Sequence, residues 1–442
     1  MSSSAVLQRL FSFLNASPTP WHAVEVMAQR LSENGFTRLN EGEAWSLSAG
    51  EKYYVTRGDG ALIAFRLPEK DLTDFRMMGA HTDSPQLRLK PNALINSRDW
   101  WQLGIQVYGG ALLNPWFDRD LGLAGRVHLR RKGRIESLLI DTKRPIAVIP
   151  NLAIHMDREA NSGRKINPQT QMAPILASIE EEVGGDVHTF IKTLIEQQYG
   201  SNEGEVLDFE LGFYDTQQAA LIGFKEELYS SARLDNLLSC FCALEALLEA
   251  DGKQGTMLVA NDHEEVGSAS VSGAQGTFLA DVLARLSEQK GVGAQRAAQV
   301  NGAEEARVRL IQHSRLISCD NAHALHPNFA DKHDASHGPR LNGGPVIKTN
   351  ANQRYATSSQ TAALFRDICQ QNDVPVQDFV TRSDMGCGST IGPITATQLG
   401  IPTLDIGLAQ WAMHSIRETA GSKDPEFMIK ALVGFCNRED IQ

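Results

Sequence analysis

"GTMLVANDHEEVGS", Gly255 to Ser268, joins two chemically opposed pieces. "GTMLVAN" is a short unbroken apolar run, the composition of a strand buried on both faces. The continuation sets a histidine and two adjacent glutamates where that strand should end. Runs of the same kind recur: "RMMGA" ahead of His81, "SRLISC" ahead of Asp320 and "PTLDIGL" ahead of His414. Helix-length apolar segments, above all "LLSCFCALEALLEA", lie among them. Strands alternating with helices predict an α/β fold, an open mixed sheet flanked by helices.

Outward from this core, apolar residues at helical spacing predict helices over Ala5–Leu14 and Trp21–Asn34, separated by the breaker "SPTP". From about Pro91 to Gly223 the texture changes to short alternating runs such as "WWQLGIQVYGG" and "VLDFELGFYDT". This is a β-rich unit, with some helix expected near Ala173 to Gln198. "LRRKGR", Leu129 to Arg134, reads as the solvated face of a hairpin. Gly291 to Arg307 is low in complexity and reads as a surface insertion.

A chain of 442 residues, 42% hydrophobic and 21% charged, can build a full core and more than one domain. A net charge of -11 argues against binding to nucleic acid or an anionic membrane. No stretch approaches the roughly 20 apolar residues of a membrane-spanning helix. The first residues interleave Gln, Arg and Asn and lack a signal-peptide core, so a cytoplasmic protein is expected. Six cysteines without a CxxC pair, mostly in apolar segments, read as buried reduced thiols.

His81, Glu264, Glu265, Asp320 and His414 all fall just beyond strand-like runs, and Asp235, in "SARLDN", can join them. In open α/β sheets ligands bind at the carboxyl ends of strands, so these segments can converge on one crevice. Nitrogen and oxygen donors without thiolate suit Zn²⁺, Mn²⁺ or Co²⁺. With one glutamate of the pair set aside, five such ligands are too many for one zinc that keeps a water, but they fit two metals if one carboxylate bridges. Adjacent side chains on extended backbone point apart, so one of Glu264 and Glu265 can ligate while the other handles a water's proton. Each signal alone is weak. A lone histidine is more often structural than a ligand, "HEE" lacks the second histidine of HExxH, and Asp83 can equally cap the Ser84-Pro85 turn. Their coincidence in one α/β pattern carries the argument.

The blocks "GAHTDSPQLRLKP", "SARLDNL", "NDHEEVGS", "SCDNAHALHPNF", "GGPVIKTNANQRYAT", "GCGSTIGPI" and "AMHSIRE" closely resemble, in order, those of the aspartyl aminopeptidase family of dinuclear zinc exopeptidases. The resemblance spans essentially the whole chain. It implies that His81, Asp235 and Asp320 hold one metal ion and that Asp235, Glu265 and His414 hold the other. Glu264 then falls on the general base and Asp83 on the carboxylate that orients the first histidine. It further implies peptide substrates, with release of an N-terminal amino acid, Lys348 pairing with an acidic first side chain and Tyr355 in the same pocket. His323 and His326 stand near the ligands or serve structure.

Ligands on both sides of the β-rich stretch make the catalytic unit discontinuous. Residues 1–90 and 231–442 are expected to form a zinc-exopeptidase-like metallopeptidase domain with 91–230 inserted as a second, β-rich domain, which the resemblance implies is a dimerisation domain. The resemblance also implies assembly into dimers and a tetrahedral dodecamer, with His155 reaching a neighbouring subunit's site. Two other readings stay open. One is a carboxypeptidase or N-acyl deacylase using the same ions, with Lys348 or Arg354 holding a substrate carboxylate. The other is a catalytically silent assembly or cargo protein, against which the complete ligand set and Glu264 argue.

Overall fold

The computed structural model describes residues 3–181, 183–201, 203–288 and 302–441. Its largest sheet has nine strands, in the order Thr37–Arg38, Lys52–Arg57, Ala61–Arg66, Thr256–Asn261, Arg76–His81, Arg315–Cys319, Thr403–Gly407, Val346–Lys348 and Gln377–Phe379. The central strands, from Thr256–Asn261 across to Thr403–Gly407, are parallel, and both neighbours of this block pair with it antiparallel. Every residue of those central strands is buried, which is why their sequences are nearly unbroken apolar runs.

Successive side chains go to opposite faces. Met78, Ala80, Leu258, Ala260, Ile317 and Cys319 pack with the helices Ser3–Asn15, Pro20–Glu33, Leu234–Glu249 and Asp424–Asn437. Met77, Met257, Val259 and Leu316 pack on the other face, against Phe278–Glu288 and Ala303–His313. The mixed sheet flanked by helices is therefore the α/β architecture expected from the sequence. Leu234–Glu249 is buried almost all round. Its buried charge, Glu245, is clamped by Arg9 at 2.5 Å and by Arg30, which fastens the two N-terminal helices to it.

A six-stranded antiparallel sheet draws on residues 86–215, in the order Arg134–Asp141, Leu121–Arg131, Glu205–Asp215, Gln86–Ser97, Trp100–Tyr108 and Ile175–Ser178. Its core joins Leu87, Leu123, Val127 and Phe213 to Ile191 and Leu194 of the helix Val187–Tyr199. "LRRKGR" forms a tight hairpin in which Arg131 faces Arg134 across Lys132 and Gly133, both at positive φ. The helix expected near Ala173 to Gln198 is only Val187–Tyr199, because Ile175–Ser178 is an edge strand on Trp100–Tyr108. Gly184 and Gly185 at positive φ precede Asp186, whose side chain accepts from the amides of His188 and Thr189. The helix is thus capped at that point and does not extend back.

A five-stranded sheet, Ala220–Ile222, Leu228–Ser231, Glu418–Gly421, Ala409–Trp411 and Ala322–His323, brings in the remaining segments. It leads into Asp235, follows Asp320 and brackets His414. All six cysteines are free, and only Cys387 is not buried. Among the described residues no helix is long and apolar enough to cross a membrane. Of the segment Gly291 to Arg307, residues up to 301 lie outside the described residues, and Ala303–His313 is a helix.

Candidate metal centre

Parallel strands end at one edge, so the residues that leave their carboxyl ends meet there. His81 closes its strand with Asn261 as its partner in register, and Ser318 pairs with Gly79, which sets Asp320 level with His81. The chain then turns at His263, φ 61°, and carries Glu264 and Glu265 back over His81 on a single 3-10 turn. Asp235 opens the buried helix with non-helical angles, φ -80° and ψ 106°. His414, φ 67°, lies in the loop between Ala409–Trp411 and Glu418–Gly421. Left-handed backbone at His263, His414, Arg233 and Ala412 costs about 1–3 kcal/mol each. Such conformations persist only where surrounding contacts fix them, and here they gather around one cluster.

Asp235 stands at the middle. Its Oδ1 is 3.4 Å from Nε2 of His81 and its Oδ2 is 3.3 Å from Nε2 of His414. His81 Nε2 is also 4.0 Å from Asp320, and His414 Nε2 is 3.4 Å from Glu265. Potential ligand atoms of His81, Asp235 and Asp320 lie within 4.8 Å of one another, as do those of Asp235, Glu265 and His414 and those of His81, Glu264 and Glu265. Glu264 and Glu265 do not diverge as neighbours on extended backbone, since they sit on a helical turn. They are separated instead by what they face: Glu264 is 3.9 Å from His81, whereas Glu265 faces His414.

Asp83 is fully buried and does not cap its own turn. Its carboxylate accepts from the amides of Glu264 and Glu265, each at 3.1 Å, and from the Tyr108 hydroxyl at 2.6 Å. His81 Nδ1 is 3.0 Å from the Asp83 carbonyl and 3.3 Å from its carboxylate. Only acceptors face Nδ1, so the neutral ring carries its proton there and turns the Nε2 lone pair to the carboxylates. On the other side, His414 Nδ1 faces the Gly110 carbonyl at 3.1 Å. Glu418, also buried, accepts from the amides of Asp235 at 3.0 Å and His414 at 2.8 Å. Tyr108, Gly110 and Glu418 escaped the sequence reading. Glu418 lies within the quoted "AMHSIRE", and Tyr108 and Gly110 end "WWQLGIQVYGG", a strand credited with no part in the site.

So many carboxylates cannot all ionise in a buried space without positive charge between them. Burial, opposed by His81 and reinforced by Asp320, raises Glu264 to about 7. Burial and Asp235 raise Glu265 to about 9. Burial raises Asp320 to about 6 against the pull of Lys348. Burial disfavours charge on His414, yet Asp235 and Glu265 outweigh it and raise the imidazole to about 10. His81 is likewise raised, with Asp235 and Asp83 overcoming burial. Two buried acceptors, Asp235 Oδ1 and Glu265 Oε1, have no hydrogen-bond partner. Acceptor atoms without donors, among nitrogen and oxygen ligands with no thiolate in the groups, fit a divalent cation of the zinc type.

Residues 13–436 match the family described as aminopeptidase I zinc metalloprotease (M18). The chain belongs to the M18 aminopeptidase family. It is 55% identical over 430 residues, 97% of each chain, to a probable M18 family aminopeptidase 2 of Azotobacter vinelandii (strain DJ / ATCC BAA-1303). It is 55% identical over 436 residues, 98% of each chain, to the protein of that name from Stutzerimonas stutzeri (strain A1501). Among solved structures, Ape4 in complex with Nbr1 aligns with a TM-score of 0.91 and 37% identity, covering 98% of this chain and 85% of that one. The S. cerevisiae mApe1 dodecamer aligns with a TM-score of 0.83 and 27% identity, covering 98% and 96%. The cluster around Asp235 is the candidate for the zinc site that this family's description implies.

The remaining candidates lie to one side. Lys348, 3% exposed, ends its strand with Nζ 3.9 Å from Asp320 and 5.3 Å from the centre of the buried Tyr355 ring. Tyr355, His323 and His326 line a cavity of about 290 Å³ with Phe379, Trp411 and Met413. Arg354 is exposed and donates to the Cys387 carbonyl at 3.3 Å. His155 is not on a strand but in an exposed turn, and it makes no hydrogen bond or ion pair with the cluster among the described residues.

Near pH 7 the metal-free site holds protons on Glu265, His81 and His414, all of which must leave before these groups ligate. Zinc binding is therefore expected to release roughly two to three protons per subunit and to tighten as pH rises from about 6 to 9. Calorimetry in buffers of different ionisation enthalpy reads this number. Zinc binding without proton release would contradict the assignment.

Proposed function

We propose that this M18 aminopeptidase removes acidic N-terminal residues, aspartate or glutamate, from peptides at a centre holding two divalent ions bridged by Asp235. One observation carries the reading: the carboxylate of Asp235 turns one oxygen to His81 and the other to His414. Zinc fits the donor set, as do Mn²⁺ and Co²⁺. In this reading His81, Asp235 and Asp320 would hold one ion, and Asp235, Glu265 and His414 the other. When bound, the ions supply Lewis acidity toward the scissile carbonyl and lower the pKa of a water.

Every other duty falls to the chain. Glu264, facing the first group without completing either ligand set, takes a proton from the attacking water and delivers it to the departing amine. Water and peptide give one free amino acid and a peptide shortened by one residue. Asp83 orients His81. Lys348, buried with Asp320 no nearer than 3.9 Å to its ammonium, pairs with the acidic side chain of the first residue, and Tyr355 forms the wall beneath it. Residues 91–230 act as the association domain within a larger catalytic unit, 1–90 and 231–442, to which the strands Ala220–Ile222 and Leu228–Ser231 fasten it by pairing alongside Glu418–Gly421. Through that domain the subunits pair and build a tetrahedral dodecamer, the exposed His155 entering a neighbour's site. The structure of a dodecamer of the related mApe1 supports self-association into twelve subunits, and in this reading the protein works in the cytoplasm.

Glu264→Gln should keep both ions and lose about 10²–10⁴-fold in kcat, because an amide cannot accept the water's proton. Glu265→Gln should lose metal first, as read by elemental analysis after dialysis. Metal loss on Glu264→Gln with retention on Glu265→Gln would reverse the two roles.

Lys348→Glu should lower kcat/KM on unblocked Asp- and Glu-peptides far more than on Leu- and Ala-peptides. N-acetylated Asp-peptides should resist the wild-type enzyme. An equal loss on every substrate would remove Lys348 from specificity, and cleavage of the acetylated peptide would favour a deacylase or carboxypeptidase reading.

A further inference from the structure

The strand Trp100–Tyr108 belongs to the six-stranded sheet, yet its last residue and the two glycines after it reach the metal centre. Tyr108 donates its hydroxyl to Asp83 at 2.6 Å, and Asp83 in turn faces His81 and takes the amides of Glu264 and Glu265. The phenol ring is held in place by Arg88, whose guanidinium lies 3.6 Å from the ring centre, and by the edge of His263. Just beyond it, His414 exchanges two contacts with the same segment. Its Nδ1 faces the Gly110 carbonyl at 3.1 Å, and its own carbonyl accepts from the Leu112 amide at 3.0 Å.

Glycine is needed for this approach. Gly109 has φ 71°, and a Cβ there would lie 3.1 Å from Cβ of Glu265. A Cβ on Gly110 would lie 3.3 Å from Nδ1 of His414. The segment therefore lies against Glu265 and His414 of one group around Asp235, and reaches the other through Asp83, which faces His81.

We propose that Tyr108 and the Gly109-Gly110 pair are positioning residues for both halves of the metal centre, so that the six-stranded sheet is part of the centre's scaffold and not solely an association surface. Removing the phenol hydroxyl takes from Asp83 Oδ2 the shorter of its two donors and leaves the Glu265 amide at 3.1 Å. Asp83 is then held less firmly, and with it the ring of His81 and the turn bearing both glutamates. Groups that orient metal-bound histidines typically contribute 10–100-fold to metal affinity. The inference rests on reading the Asp235 cluster as a metal site.

The test is zinc titration of metal-free protein against a chromophoric chelator for the wild type, Tyr108→Phe and Tyr199→Phe. Tyr199 also lies among residues 86–215, and its hydroxyl donates to the Leu139 carbonyl at 2.5 Å. Tyr108→Phe should bind at least one ion about 10–100-fold more weakly with an unchanged circular dichroism spectrum. Tyr199→Phe should bind as the wild type does. Unchanged zinc binding by Tyr108→Phe, or equal weakening in both variants, would overturn the inference. A wild-type protein that binds no zinc would instead overturn the reading of the cluster itself.

Discussion

Everything at the carboxyl edge of the nine-stranded sheet depends on the crowding of buried carboxylates around two imidazoles. Asp83, Asp235, Glu265 and Glu418 are each almost inaccessible to water, and among the described residues the cations near them, Arg233 toward Glu418 and Lys348 near Asp320, are fewer than the carboxylates. Folding such a set in an apolar setting is unfavourable unless protons or cations lie between them. The raised values of Glu264, Glu265 and Glu418 and the raised histidines are how the site balances itself with protons. Divalent ions do the same with more charge and fixed geometry. The fold appropriate to this task is one in which parallel strands end together and leave their charged residues at one edge.

Backbone donors make the crowding tolerable. Asp83 collects the amides of Glu264 and Glu265, and Glu418 collects those of Asp235 and His414. Each of these buried carboxylates thus ties together two segments remote in sequence, and each fixes a candidate ligand through its main chain. Further out, Ser84 donates to the Asp235 carbonyl at 2.6 Å and Asn236 to that of Cys319 at 2.8 Å. The residues near Asp235 are consequently held by bonds that do not use the oxygens facing the histidines.

Much of this was legible in the sequence for a physical reason. A strand buried on both faces is a continuous apolar run, so a charged residue just past it stands out: His81 after "RMMGA" and Asp320 after "RLISC". Glu264 and Glu265 stood out in the same way, but the turn they sit on did not, because the left-handed residue that starts it is His263 and not a glycine. Tyr108 and Glu418 carry no such mark. A tyrosine ending an alternating strand and a glutamate opening a short one are ordinary, and only tertiary packing brings them to Asp83 and Asp235. The helix expected near Ala173 to Gln198 is Val187–Tyr199, but the strand Ile175–Ser178 ahead of it was not singled out, because an apolar sheet edge does not differ in local pattern from a helix face.

The central claim is that Asp235 bridges two ions. Anomalous diffraction at the zinc absorption edge from crystals grown with zinc tests it most directly. Two peaks about 3.5–4 Å apart are expected, one between Asp235 and the pair His81 and Asp320, the other between Asp235 and the pair Glu265 and His414. A single peak, or two peaks of which either lies away from Asp235, would contradict it.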